Sequence, residues 1–142
     1  MIRLAAVTLL FVAVAGTASA DPCKRIPDRG SMPPELRAGH SFSGPVVYVG
    51  DADSLCVETL PGRGGEGWVE VRLADFFGPE LNDTGGREAR RALIDIAMGR
   101  TVTCITGRRS YDRVVARCAL DGVSLGDLMR RRGVPEGGRG RT

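Results

Sequence analysis

The order of β-rich and helical stretches constrains this chain more than any other feature, because one helix interrupts what is otherwise a series of short strands. Val46-Val47-Tyr48-Val49 and Leu55 to Thr59 are two such runs, separated by Gly50-Asp51-Ala52-Asp53, which reads as a hairpin turn. A glycine-rich turn from Pro61 to Gly67 leads into Trp68 to Ala74. There Val69, Val71 and Leu73 alternate with Glu70 and Arg72, so one face is apolar and the other charged. Gly85-Gly86 precedes a helix predicted from about Arg87 to Met98, with Gly99 placed to end it. Ala89, Ala92, Leu93, Ile96 and Ala97 form its apolar stripe, and Arg87, Arg90 and Arg91 lie largely outside it. Two further strands, Thr101 to Thr106 and Val114 to Leu120, flank the basic turn from Gly107 to Arg113. Ser124 and Asp127 then have the spacing of a capping box for a short helix through about Arg132. Three strands, a helix, two strands and a helix suit a five-stranded Greek-key barrel of the OB type better than a parallel α/β sheet. The expected class is therefore mainly β with helices, α+β.

The two ends of the 142-residue chain read differently from this middle. Arg3, the apolar stretch Leu4 to Ala15 and the small residues Ala18-Ser19-Ala20 have the layout of a cleaved secretory signal over residues 1–20. The apolar run is shorter than the ~20 residues a membrane span needs, so no membrane insertion is expected after cleavage. Asp21 to His40 carries four prolines without a sustained period and reads as an irregular arm, assigned to 21–41. The main domain is expected over 42–134, and the glycine- and arginine-rich 135–142 as a flexible tail.

Four cysteines, Cys23, Cys56, Cys104 and Cys118, fall after the signal, and an even count in an exported chain favours two disulfides. A zinc site is disfavoured, since no pair shows a Cys-x-x-Cys step and the lone His40 falls in a loop. If the last two strands form a hairpin centred near Tyr111, Cys104 and Cys118 face each other with equal offset, which leaves Cys23 for Cys56. The formal net charge of +3 hides an asymmetry. Residues 21–86 carry six basic and eleven acidic side chains, whereas residues 87–142 carry thirteen basic and six acidic ones. A phosphate-rich ligand could use the second half while the first half holds a cation, although ordinary solvated charge would look the same.

Four separated segments, taken together, resemble the staphylococcal nuclease (thermonuclease) family. Gly50-Asp51-Ala52-Asp53-Ser54-Leu55 is similar to its Asp-Gly-Asp-Thr turn, with Ala for Gly and Ser for Thr. Arg72 to Glu80 resembles its Arg-Leu-x-x-x-Asp-x-Pro-Glu block at the same length. Gly86-Arg87-Glu88-Ala89 resembles its helix start, and Tyr111 to Ala116 its Tyr-Gly-Arg-x-x-Ala segment. The resemblance implies calcium-dependent hydrolysis of DNA or RNA; the signal over residues 1–20 implies an exported, periplasmic or secreted protein, which is expected to be a monomer. The resemblance makes Asp53 a calcium ligand, Glu80 the group that orients or deprotonates water, and Arg72 and Arg113 the phosphate clamps. These types suit the chemistry, since calcium takes hard oxygen ligands and a guanidinium fork meets two phosphate oxygens at once. Arg108, Arg109 and Tyr111, in the basic turn, are the further expected nucleic-acid contacts.

Each of these residues also has an ordinary reading. Asp51 and Asp53 favour a turn in any protein, Arg72 fits a solvent-facing strand position, and Tyr111 fits packing. The chain also departs from the family at one position. Phe77 stands where the family has its second carboxylate ligand, and phenylalanine cannot bind calcium. Asp75 is the expected substitute, two residues earlier on the same strand face but ~6.6 Å away along a strand, so the loop would have to be rebuilt around it. Asp112, where the family has glycine, could pair with Arg113 and compete for it. An OB module that binds nucleic acid without cleaving it, and an envelope protein-interaction domain, are the rival expectations.

Overall fold

The computed structural model describes residues 21–137. The expected signal segment 1–20 and the last five residues of the expected tail lie outside the described residues. β1 (Ser41–Val49), β2 (Ser54–Glu58) and β3 (Trp68–Leu73) form an antiparallel meander, followed by α1 (Gly86–Ala97), β4 (Thr101–Ser110), β5 (Arg113–Leu120), the two-residue β6 (Val123–Ser124) and α2 (Leu125–Arg131). The sheet order is β3-β2-β1-β4-β5-β6, and a parallel pairing of β3 with β5 closes the first five strands into a barrel. The mainly-β, OB-like five-stranded barrel expected from the element order is therefore the observed architecture.

β1 begins at Ser41, five residues before the apolar run that marked it, because Gly44 and Pro45 interrupt the pattern without interrupting the pairing with β4. Glycine is needed at that step: a Cβ on Gly44 would fall 1.9 Å from the Glu58 carbonyl oxygen across the sheet. Alternation on β3 is as read, with Val69, Val71 and Leu73 fully buried and Glu70 and Arg72 on the other face. The buried set continues through Val46, Val49, Leu55, Val57, Val102 and Val114. α1 lays Ala89, Ala92, Leu93 and Ala97 onto this core, and its Arg90 Nε donates to the Val49 carbonyl at 3.0 Å, which fixes the helix to the end of β1. At α2, Ser124 is the N-cap, its hydroxyl accepting from the Asp127 amide at 3.0 Å.

Both disulfides pair as the hairpin geometry required, Cys23 with Cys56 and Cys104 with Cys118. Cys104 and Cys118 are direct partners across β4 and β5, even though a bulge between Thr106 and Arg109 shifts the register nearer the tip. The 15-residue loop this bond closes corresponds to about 3 kcal/mol in the chain-entropy account. Two disulfides are compatible with an exported protein. No helix among the described residues is long and apolar enough to cross a membrane.

The arm and the tail are more embedded than their composition suggested. The arm inserts Cys23, Ile26 and Leu36 into the interior and hydrogen-bonds Lys24 and Arg25 to Gly65 and Trp68. At the other end, Gly137 donates to the Phe77 carbonyl at 2.9 Å, and Arg130 holds the Glu136 carboxylate through two bonds of 3.2 and 3.1 Å. The expected flexible tail from 135 is thus docked as far as Gly137. A bidentate Arg–carboxylate pair overrides the glycine-rich local preference.

Candidate active site

The parallel pairing of β3 with β5 decides which charged residues meet. In its register Glu70 lies opposite Arg113, and Arg72 opposite Val115, so the outward faces of the two strands bring one acid and two arginines together. Arg113 Nη1 sits 3.8 Å from Glu70 Oε1. The β2–β3 register sets Arg72 opposite Ser54, one residue past the 50–53 turn, and the Leu73 amide donates to the Asp53 carbonyl at 2.8 Å. Arg72 Nη2 consequently reaches Asp53 Oδ2 at 3.7 Å. The expected clamps Arg72 and Arg113 and the expected ligand Asp53 therefore come together at the barrel seam.

Asp53 is 5% exposed, which is unusual for a turn aspartate. Its Oδ2 accepts from the Gly78 amide at 2.9 Å, and its own amide donates to Asp51 Oδ1 at 3.0 Å. Gly78 can approach so closely because it has no side chain: a Cβ there would lie 2.4 Å from the Ala52 Cβ. The Ala52 methyl is accommodated by this glycine across from it. Burial first, and then the neighbouring Asp51 carboxylate, push the Asp53 carboxyl up to about 7, against the pull of the Gly78 amide and Arg72. Glu70 is pushed up to about 8, by burial first and then by a hydrogen bond and repulsion from Asp21, with Asp112 adding to this and Arg113 opposing it.

Beside these groups opens a cavity of about 290 Å³ lined by Asp21, Tyr48, Asp51, Glu70, Leu81 and Arg113, among others. Asp53 and Arg72 adjoin it through Asp51 and Ser54, which are on its wall. A buried and a partly buried carboxyl with raised proton affinity, two guanidinium groups on long ion pairs and an open cavity form an arrangement that can exchange protons for a cation and carboxylates for a phosphate. The donor type fits a hard divalent ion at Asp51 and Asp53, whose carboxyls lie within hydrogen-bonding reach of each other.

Asp75, the expected second ligand, goes elsewhere. Its carboxylate packs against the first turn of α2, so closely that a Cβ on Gly126 would fall 2.8 Å from Oδ2, and Arg117 Nε lies 4.0 Å away. Neither Asp75 carboxylate oxygen has a hydrogen-bond partner among the described residues, and Asp75 does not line this cavity. The strand ends at Leu73, so the face that positions 75 and 77 would share in an extended chain no longer holds beyond it. Phe77 is tied through its backbone to Glu136 and Gly137.

Glu80 is half-buried, and its side chain makes no ion pair or hydrogen bond among the described residues. Its carbonyl is crowded by Gly86, where a Cβ would lie 1.8 Å away, so the glycine that opens α1 also sets the path of this segment. Arg109 directs its guanidinium to three carbonyls, those of Tyr111, Gly30 and Pro27, and so pins the arm. Tyr111 stands 84% exposed at the hairpin tip with φ 59°, and Arg108 is exposed beside it. Asp112 does not form an ion pair with Arg113; Glu70 does.

Sequence reading missed Asp21, Asp51 and Glu70 as site residues. The alternation of β3 put Glu70 on the charged face, which was the available signal; Asp21 comes from the arm and left none. Asp21, Cys23 and Cys56 also cluster closely enough to hold a metal ion, but both sulfurs are in a disulfide and are not thiolate donors. A scan against protein-family models finds no matching family, and a search of curated proteins finds no match.

Proposed function

We propose that this chain is an exported, metal-dependent phosphodiesterase of the thermonuclease type that hydrolyses DNA or RNA. The observation that carries the reading is the meeting of Arg72 and Arg113 with Asp53 and Glu70 at the β3–β5 seam, beside an open cavity. It is supported by the resemblance of the four sequence segments, three of which supply Asp53, Arg72 and Arg113.

Both ion pairs are long, at 3.7 and 3.8 Å, and both carboxyls have raised proton affinity. The two guanidinium groups can therefore turn to the non-bridging oxygens of a phosphodiester at little electrostatic cost. As a water oxygen bonds to phosphorus, Glu80 accepts its proton, and the opposite P–O ester bond breaks with its electron pair on the leaving oxygen. Charge then builds on the oxygens held by Arg72 and Arg113, where fixed donors in a partly dry site act most strongly. A divalent cation, calcium in the family's case, held by Asp51 and Asp53 would supply further positive charge and a more acidic water. The signal over residues 1–20 directs export and is then removed, and the protein acts as a monomer.

Incubation of the chain lacking residues 1–20 with single-stranded DNA and RNA, in calcium and in chelator, tests this reading. Calcium-dependent cleavage that the chelator stops is expected. Intact substrate in both would favour the second reading, a nucleic-acid-binding OB module without turnover. What favours that module is the packing of Asp75 against α2, which leaves few carboxylates to hold an ion.

A further inference from the structure

α1 carries its basic residues at the end where they stabilise it least. Arg87, Arg90 and Arg91 lie in its first two turns, while its last turn has no basic residue. Cations near a helix N-terminus oppose the macrodipole, and like charges three and four residues apart repel. Arg87 and Arg91 are exposed and form no ion pair among the described residues, and neither does Arg90, which is anchored to β1 through Nε. These three side chains, with Leu81 and Asn82, surround a cavity of about 390 Å³. A local arrangement that works against the helix, yet converges on open space, marks a site for an anion. The exposed Leu81 lines both this cavity and the one that holds Arg113, so the two adjoin across one side chain.

We infer that the arginine cavity on α1 is a second phosphate subsite, which takes the backbone of a single-stranded polynucleotide whose neighbouring phosphodiester lies at the seam. The inference rests on the phosphodiesterase reading for what the first cavity holds. It adds that the substrate is a strand several nucleotides long rather than a dinucleotide. The apolar Leu81 between the two basic positions gives a sugar or base a surface to lie on, and the guanidinium groups on either side meet phosphates.

The test is fluorescence anisotropy with labelled single-stranded dT12 and dT2 in chelator, across a salt series, using the chain lacking residues 1–20. The parent is compared with Arg87→Ala/Arg91→Ala and with the charge-matched control Arg37→Ala/Arg63→Ala, whose arginines are exposed and lie outside both cavities. We expect the α1 variant to lose on the order of tenfold in dT12 affinity, with a salt slope shallower by about 1.4, as two fewer phosphate contacts on a single strand require. The control variant keeps parental dT12 binding, and the advantage of dT12 over dT2 shrinks in the α1 variant alone. No dT12 binding by the parent, equal losses in both variants, or equal losses for dT12 and dT2 would each overturn the inference. So would displacement of dT12 by polyglutamate of equal charge as effectively as by unlabelled dT12, because the face would then take acidic polymers in general. Parallel incubation of the parent with dT12 and calcium separates the two readings. Intact dT12 together with the expected binding pattern removes hydrolysis and supports the subsite, whereas cleavage with an unchanged α1 variant removes the subsite and keeps hydrolysis.

Discussion

Two aspartates near the end of β3 have opposite surroundings. Asp53 is almost fully buried, yet it faces Arg72, receives the Gly78 amide and adjoins an open cavity through Asp51. Asp75 is also mostly buried, but its carboxylate lies against the start of α2 with both oxygens lacking hydrogen-bond partners among the described residues. The segment 74–80 runs between them, held at one end by Arg130 and Glu136 and at the other by the turn 50–53. Burial alone therefore does not mark a reactive carboxylate. What distinguishes Asp53 is convergence with other charges beside solvent; Asp75 instead packs against the first turn of a short helix, with Arg117 Nε 4.0 Å away.

The strongest way to break this contrast is to remove the charges that converge. Arg113→Ala and Arg72→Ala should each lower turnover by the equivalent of about 3 to 4 kcal/mol, because each removes a fixed partner of transition-state charge. Melting temperatures should stay close to the parent, since the carboxyls they face can take up a proton. Parental rates in both variants, measured on single-stranded DNA, would remove the seam from the chemistry. The paired substitutions Asp53→Asn and Asp75→Asn sharpen the contrast directly. Asp53→Asn should abolish the response to calcium titration, while Asp75→Asn should leave both the response and cleavage in place. The reverse result would mean that segment 74–80 rearranges to bring Asp75 to the ion.

A smaller effect is expected from geometry alone. Gly78→Ala brings a Cβ against Ala52 and should destabilise by about 1 to 3 kcal/mol, read as a shift in denaturant midpoint. Ala52→Gly added to it should restore part of the loss. Failure of any rescue would show that the close approach of these two segments is not what holds Asp53.

The smallest effect concerns pH. Glu70 binds its proton up to about 8 in the folded chain but only to about 4.5 in the unfolded one. Between those values the folded state holds more protons, so stability falls as pH rises through this window and levels off above it. Glu70→Gln removes that penalty. It should raise the melting temperature by a few degrees at pH 9 and leave it near parental at pH 4, as thermal scans would reveal. A gain confined to low pH would contradict the assigned direction.

Legibility in the sequence followed how local each determinant was. β3 and α1 were readable to within a residue or so because their apolar periods of 2 and 3.6 are carried by contiguous residues, and β2 because its β-rich run is contiguous. The Cys104–Cys118 bond followed from hairpin symmetry. The pairing of Glu70 with Arg113 was not readable, since it depends on the register of a parallel contact between strands some forty residues apart. Asp112 looked like the competitor for Arg113 because it is adjacent in sequence, and the barrel instead supplies an acid from β3. Asp75 looked like a substitute ligand because its two-residue spacing from Phe77 assumes a strand that in fact ends at Leu73. Ala52 and Gly78 each look like isolated departures or fillers, and their complementarity shows once the two segments touch.

The parallel β3–β5 contact has a consequence for how the molecule comes together. One disulfide lies within the β4–β5 hairpin and the other joins the arm to β2, so neither crosses the seam. Thiol oxidation can be complete while the barrel is still an open ribbon, and closure then depends on main-chain hydrogen bonds between distant segments, the slow kind of encounter during folding. On the phosphodiesterase reading proposed above, cleavage should accordingly be the last property to return on refolding. In a chain refolded with its disulfides intact, amide protection in the β4–β5 hairpin should precede protection in β3, and cleavage of nucleic acid should reappear with the latter.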